Sequence, residues 1–121
     1  MELENLKVYE ISMCIGECVW AIVLRWDSFS KYTLGKQWVN AADSIGQNIS
    51  EGYGRFHFKD SKNFYYFSRG SLLETITILT KAHNRKLVSE EEFTKLHSEL
   101  RDLKIRLNNF IKSVGTTNKS K

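Results

Sequence analysis

The sequence contains no proline, although an average chain of its 121 residues carries ~6. Proline punctuates loops and interrupts helices. Its absence argues against a turn-rich sandwich or barrel and for long uninterrupted helices. Long apolar runs are also missing. The longest, VWAIVL from Val19 to Leu24, is far short of the ~20 residues that a bilayer-spanning helix needs. The opening MELENLKVYE has two acids among its first four residues and no apolar run, so it does not read as a secretory signal. A cytoplasmic protein with no membrane partner is expected. Cysteine is scarce. Cys14 and Cys18 lie four apart on one helical face, a spacing that suits two buried reduced thiols better than a disulfide. No second Cys or His pair stands at ligand spacing, so no metal site is expected. His57, His83 and His97 do not follow a glutamate at the Glu-x-x-His spacing of a di-iron bundle. There is no phosphate loop or nucleophile elbow. Gly52-Tyr53-Gly54 is too short, and follows a helix rather than a strand, to bind a dinucleotide. No cofactor, catalytic residue or enzymatic activity is expected. Glu51 and Glu74 could form an acid–base pair, but so could any two carboxylates of a bundle.

What is present has strong helical periodicity. Val8, Ile11, Ile15, Cys18, Ile22 and Trp26 recur at three- and four-residue steps, which places a first helix over residues 4–26. DSFSKYT supplies turn and cap residues. Leu34, Trp38, Ala41, Ile45 and Ile49 then share one face of a second helix over 34–52. Gly52 and Gly54 are expected to close it in the left-handed conformation that glycine tolerates. The third helix, 60–85, is expected to start from an Asp60 or Ser61 cap. Its inward stripe reads Phe64, Phe67, Ser71, Thr75, Ile78 and Ala82, with Leu72, Ile76 and Leu79 beside it. Ser89 with Glu92 forms a capping box for the fourth helix, 89–114. There Phe93, Leu96, Leu100, Leu103, Leu107, Phe110 and Val114 alternate by three and four, the seam of near-parallel packed helices. Four such helices with short connections predict an all-α, up-down-up-down four-helix bundle over residues 1–115. Residues 116–121 form a polar, frayed tail in this reading.

Residues 42–79, AADSIGQNISEGYGRFHFKDSKNFYYFSRGSLLETITIL, carry a denser signature. Ser44, Ile45, Asn48, Ile49, Glu51, Gly52, Gly54 and Arg55, then Phe64, Phe67, Arg69, Gly70, Ser71, Glu74 and Leu79, resemble the motif of the 23S rRNA intervening sequence protein family. Ser68 departs from it, since the family usually has alanine there. The resemblance implies a four-helix bundle that assembles as a ring, commonly a homopentamer. A related branch comprises the accessory proteins of diversity-generating retroelements, which bind nucleic acid and a reverse transcriptase. The motif also has a physical reading. Gly70 lies mid-helix, where glycine costs ~1 kcal/mol against alanine, an expense usually offset by close approach of a neighbouring helix. Asn48, Glu51, Arg55, Ser71 and Glu74 are placed to form a polar network between helices two and three. That network either fixes helix register or serves binding or catalysis.

Seven of the fifteen aromatic residues fall between positions 53 and 67. A helix turns ~100° per residue, so Phe64, Tyr65, Tyr66 and Phe67 cannot all enter one core. Tyr53, Phe56, Phe58, Tyr65 and Tyr66 are therefore candidates for a contact between subunits; stacking on bases and capping of the bundle end are the alternatives.

Charge is unevenly placed. Residues 1–60 carry a net −2 and residues 61–121 a net +6. On the fourth helix, Glu92, Lys95, Glu99, Asp102 and Arg106 mix signs and are expected to pair with one another. His97, Arg101, Lys104, Asn108 and Lys112 form a stripe without an acid, and Lys81, Arg85 and Lys86 add a basic end to the third helix. Arg101, Lys104, Lys112, Lys81, Arg85 and Lys86 are candidates for sequence-independent contact with RNA or DNA phosphates. The alternatives are an ordinary solvated face and a protein-interaction adaptor with no nucleic-acid ligand.

Overall fold

The computed structural model describes residues 2–115, and the expected frayed tail lies outside them. The chain forms four long helices: α1 (Lys7–Leu24), α2 (Lys36–Tyr53), α3 (Phe58–Asn84) and α4 (Glu90–Ser113). They are antiparallel to their neighbours in sequence. In cross-section they make a square in which α1 packs on α2, α2 on α3, α3 on α4 and α4 on α1. No strand occurs among the described residues. The predicted bundle is the observed one.

Most of the helix boundaries differ from the sequence reading, each for a local reason. A 3₁₀ turn, Leu3–Asn5, precedes α1, and extended Leu6 separates the two. Helical structure resumes at Ser28 rather than residue 34, because Asp27 acts as an N-cap and accepts the Ser30 backbone N–H at 2.8 Å. A π-helical turn, Lys31–Gly35, then leads into α2. Gly54 closes α2 with φ −81°, so the expected left-handed stop is absent. Gly52 instead serves close packing, since a Cβ there would lie 2.6 Å from Tyr65 Cε1. The α3 N-cap is His57, not Asp60 or Ser61, and the helix gains two residues at that end. At its far end Lys86 takes φ 61°, and bonds from Leu87 N–H to Ala82 and from Lys86 N–H to His83 close the last turn. The Ser89–Glu92 capping box forms as expected, with both reciprocal bonds present.

The core is a single cluster running the length of the bundle. Trp38, Ile45, Ile49, Leu72, Leu79, Leu96, Leu100, Leu103 and Leu107 are fully shielded. The buried stripe of α3 is the expected one from Leu72 to Ala82 and a different one in the turns before it. Ser61, Tyr65, Ser68, Leu72 and Thr75 are buried, Phe64 is half-buried and Phe67 is 59% exposed. Small Ser68 lets α3 approach α2 closely enough for its hydroxyl to donate to the Ile45 carbonyl at 2.7 Å. Tyr65 fills the space that Gly52 leaves and meets Phe110 edge-on at 4.9 Å. Polar groups satisfied across helices thus outrank the more apolar phenylalanines. Two indoles lock the opposite end. Trp26 and Trp38 stack at 5.6 Å, Trp26 donates to the Leu87 carbonyl, and Trp38 donates to the Thr75 carbonyl.

Candidate functional site

The motif residues between α2 and α3 do not form the expected network. Asn48 donates back to the Ser44 carbonyl of its own helix at 2.9 Å. Glu51 meets Arg55 at 3.4 Å, an exposed pair one turn apart, and the Arg55 guanidinium lies over the Phe64 ring. The Ser71 carbonyl accepts from Thr75 within α3. Glu74 is exposed, and no bond joins it to Glu51 among the described residues. Gly70 is exposed too, and a Cβ there would meet nothing within 4 Å, so among the described residues no neighbouring helix packs against it. What ties α2 to α3 is Ser68, Thr75 and Trp38, none of them in the polar set named from sequence.

The thiols also differ from expectation. Cys14 is exposed and Cys18 half-buried, because both lie at the edge of the α1 stripe rather than in its middle. Burial, the largest influence, pushes the Cys18 thiol above its ordinary range. No group of three or more metal-ligating side chains comes together among the described residues.

The aromatic cluster divides. Tyr65 is a core residue, only 3% exposed, and not a subunit-contact residue. Its hydroxyl is pushed up to about 12, first by burial and then by Tyr53 nearby. Tyr53, Phe56, Phe58, Tyr66 and Phe67 remain at the surface, with Phe56 at 93% exposure. Phe58 lies beside Gly115, where an added Cβ would be 3.6 Å from it. Arg69 sits over the Tyr66 ring and donates to Asn108 at 3.0 Å, which turns Asn108 away from the basic stripe and toward α3.

The basic residues are displayed much as expected. Arg101, Lys104 and Lys112 are exposed along α4, and Lys81, Arg85 and Lys86 are exposed at the α3 terminus. None of the six forms an ion pair among the described residues. On the flanking stripe, Arg106 pairs with Asp102 at 2.8 Å as expected. Glu92 instead reaches across to Arg25 at 2.6 Å. That bond and the Ser89 backbone N–H hold the Glu92 carboxyl below its ordinary range. His97 lies in a ring stack with Phe93 and His83, and His83 Nε2 lies 2.6 Å from Glu90 Oε1. The six cations do not converge on one point. Lys86, before the start of α4, and Lys112, in its last turn, are separated by about the length of that helix, ~36 Å, so the six do not form one pocket.

One surface escaped the sequence reading. Trp20, Val23, Leu24, Tyr32, Gly35 and Val39 line a groove of about 410 Å³ between α1 and α2, with Lys31 and Lys36 at its edge. Trp20, Leu24 and Tyr32 are 52%, 54% and 74% exposed. The available signal was Trp20 with Leu24, an apolar pair one turn apart and outside the inward stripe of α1.

An antiparallel four-helix bundle whose distinctive features are exposed aromatic and basic surfaces is the class that these observations define. Within it, the 23S rRNA-intervening sequence protein family matches residues 4–109, and the chain belongs to that family. Among solved structures, it is similar to a protein of unknown function from the S23 ribosomal protein family of Bacteroides thetaiotaomicron. The TM-score is 0.81 and the identity 18%, over 88% of this chain and 99% of that one. At that identity the likeness is one of fold. No curated protein matches the chain. Among the described residues, no helix is long and apolar enough to cross a membrane.

Proposed function

We propose that the protein is a non-enzymatic, cytoplasmic, self-associating bundle whose α4 face holds nucleic-acid phosphates. The observation that carries this reading is the row Arg101, Lys104 and Lys112, exposed and without a carboxylate partner among the described residues. Internal pairing would have consumed these charges, as it consumes Arg106. Repetition of the row around a homo-oligomer, a ring of five as family resemblance implies, multiplies a weak field into one able to retain a polyanion. The family's description names 23S rRNA, so RNA is the first polyanion to test. Tyr53, Phe56, Phe58, Tyr66 and Phe67 form the surface proposed to meet the next subunit, because large exposed apolar patches mark protein contacts.

The test is a fluorescence-anisotropy titration of single-stranded RNA. Three phosphate contacts predict that affinity falls about 20-fold between 50 and 200 mM salt, and that the R101Q/K104Q/K112Q variant loses both affinity and salt slope. No binding at 50 mM salt, or no change in the variant, overturns the reading. A protein-interaction adaptor is then the better description, favoured by the same exposed aromatics. Protein purified at low salt separates the two, since co-purifying nucleic acid raises the A260/A280 ratio only under the first.

A further inference from the structure

Between the cations that end α3 and those along α4 stand three rings. His83 stacks on Phe93 with centroids 4.0 Å apart and planes 18° from parallel, and Phe93 stacks on His97 at 5.3 Å and 25°. Glu90 holds the His83 ring, its Oε1 lying 2.6 Å from Nε2. Phe93 and His97 are half-buried, and His97 makes no hydrogen bond among the described residues. Phe93, His97, Arg101 and Ile105 recur at four-residue steps, which puts them in one row on α4 with ~6 Å between successive members. All four line a hollow of about 430 Å³, together with Thr94 and Ser98. That volume lies within the range of small-ligand sites. Three details suit the hollow to an occupant that is both flat and anionic. Ile105 is 60% exposed among charged neighbours, so no core accounts for its apolar surface. Thr33, Thr75, Thr77 and Thr80 each donate to the carbonyl four residues back, whereas Thr94 makes no hydrogen bond among the described residues. Asp102, the acid of the hollow, is engaged by Arg106 at 2.8 Å, which leaves Arg101 unpaired among the described residues.

We propose that this row receives the unstacked bases of a single-stranded nucleic acid, with Phe93 and His97 as the stacking platform and Ile105 as an apolar rest two turns further on. The proposal rests on reading α4 as a phosphate-binding face and adds which form of nucleic acid fits it. Every base has a π-face, so a ring platform gains affinity without fixing a sequence. Spacing decides between single strand and duplex. Row members stand ~6 Å apart, nearly twice the ~3.4 Å between neighbouring units along one strand of a duplex. Only a strand free to extend presents successive bases to successive members. A duplex keeps its bases stacked and paired, and offers this face its phosphates alone. Arg101, between the platform and Ile105, then meets the phosphate joining two bases, and Lys104 meets the one beyond. The Thr94 and Ser98 hydroxyls stand beside the platform, where a sugar or a base edge would lie. One strand along this row also links the cations of the α3 terminus with those of α4, which no single phosphate can do.

The test is fluorescence anisotropy on the full chain at low salt with three RNA probes of equal length: an unstructured single strand, an abasic strand with the same phosphates, and a duplex. The single strand should bind about 10-fold more tightly than either of the others, the gain expected of one stacked base. H97A should lose about 10-fold for the single strand, leave the abasic strand unaffected and keep the salt slope, which R101Q/K104Q/K112Q instead lowers. H97F, which keeps a ring and removes the imidazole, should bind like wild type. I105S, at an exposed position, should weaken the single strand and spare the abasic one. Helical circular dichroism checks that each variant is folded, and the abasic comparison needs no variant at all. Equal affinity for the single and abasic strands, a duplex bound as tightly as the single strand, or H97A and I105S both without effect overturns the stacking row and leaves phosphate binding standing. No binding of any probe overturns both.

Discussion

Gly52 and Gly70 are both helical glycines of the family-like motif, yet they do opposite things. Gly52 sits under the Tyr65 ring, with the Ser61 carbonyl 3.0 Å from where its Cβ would be. A methyl group there must displace a packed ring and a backbone atom. Gly52→Ala should therefore destabilise the protomer by about 1–3 kcal/mol despite alanine's better helix propensity. Gly70 has open space around it, so Gly70→Ala should stabilise the protomer by about 1 kcal/mol. Urea unfolding of the two variants should shift the midpoint in opposite directions. Lys86 offers a third case. It occupies the left-handed position that ends α3, where a side chain is strained, so Lys86→Gly should raise the melting temperature. None of the three roles shows in the sequence. A glycine's function depends on what faces it, and Lys86 carries no turn signal at all.

At the scale of the element, helix existence was legible because the three- and four-residue periodicity extends over many turns. The ends were not, because caps compete locally. Asp27 reads equally as a turn residue and as the N-cap it is, and His57 caps α3 without any side-chain bond. The Ser89–Glu92 box was legible because both partners lie within one turn. Ser89→Ala should cost about 1 kcal/mol, visible as a lower melting temperature. Glu92 adds a pH dependence whose sign is set. Its folded-state carboxyl is held below the ordinary value of 4.5, so its stabilising contribution is complete above that pH and is lost as pH falls through the folded value. Acid titration of the melting temperature should be shallower for Glu92→Gln than for wild type. In α3, hydrophobicity ranked phenylalanine above serine and put Phe67 inside. Close helix approach favoured Ser68, which no periodicity argument weighs.

Across the whole molecule, the arrangement of four helices followed from their lengths and short connections. The surfaces followed only in part. The basic row on α4 was readable because it lies on one helix at fixed spacing. The groove between α1 and α2 needs two helices in known register, and the Arg25–Glu92 bridge spans 67 positions, so neither could be read from spacing. Removing the exposed aromatics tests the assembly at this scale. F56S/F67S should lower the mass measured by light scattering while leaving helical content intact, because both rings lie outside the core.

The stacked indoles of Trp26 and Trp38 lie 5.6 Å apart and 13° from parallel, close enough for their electronic transitions to couple. The chain therefore carries an internal optical gauge. A split far-ultraviolet dichroism signal should report whether the end where α1 turns into α2 is shut, and it should vanish on unfolding before any added dye or label is needed.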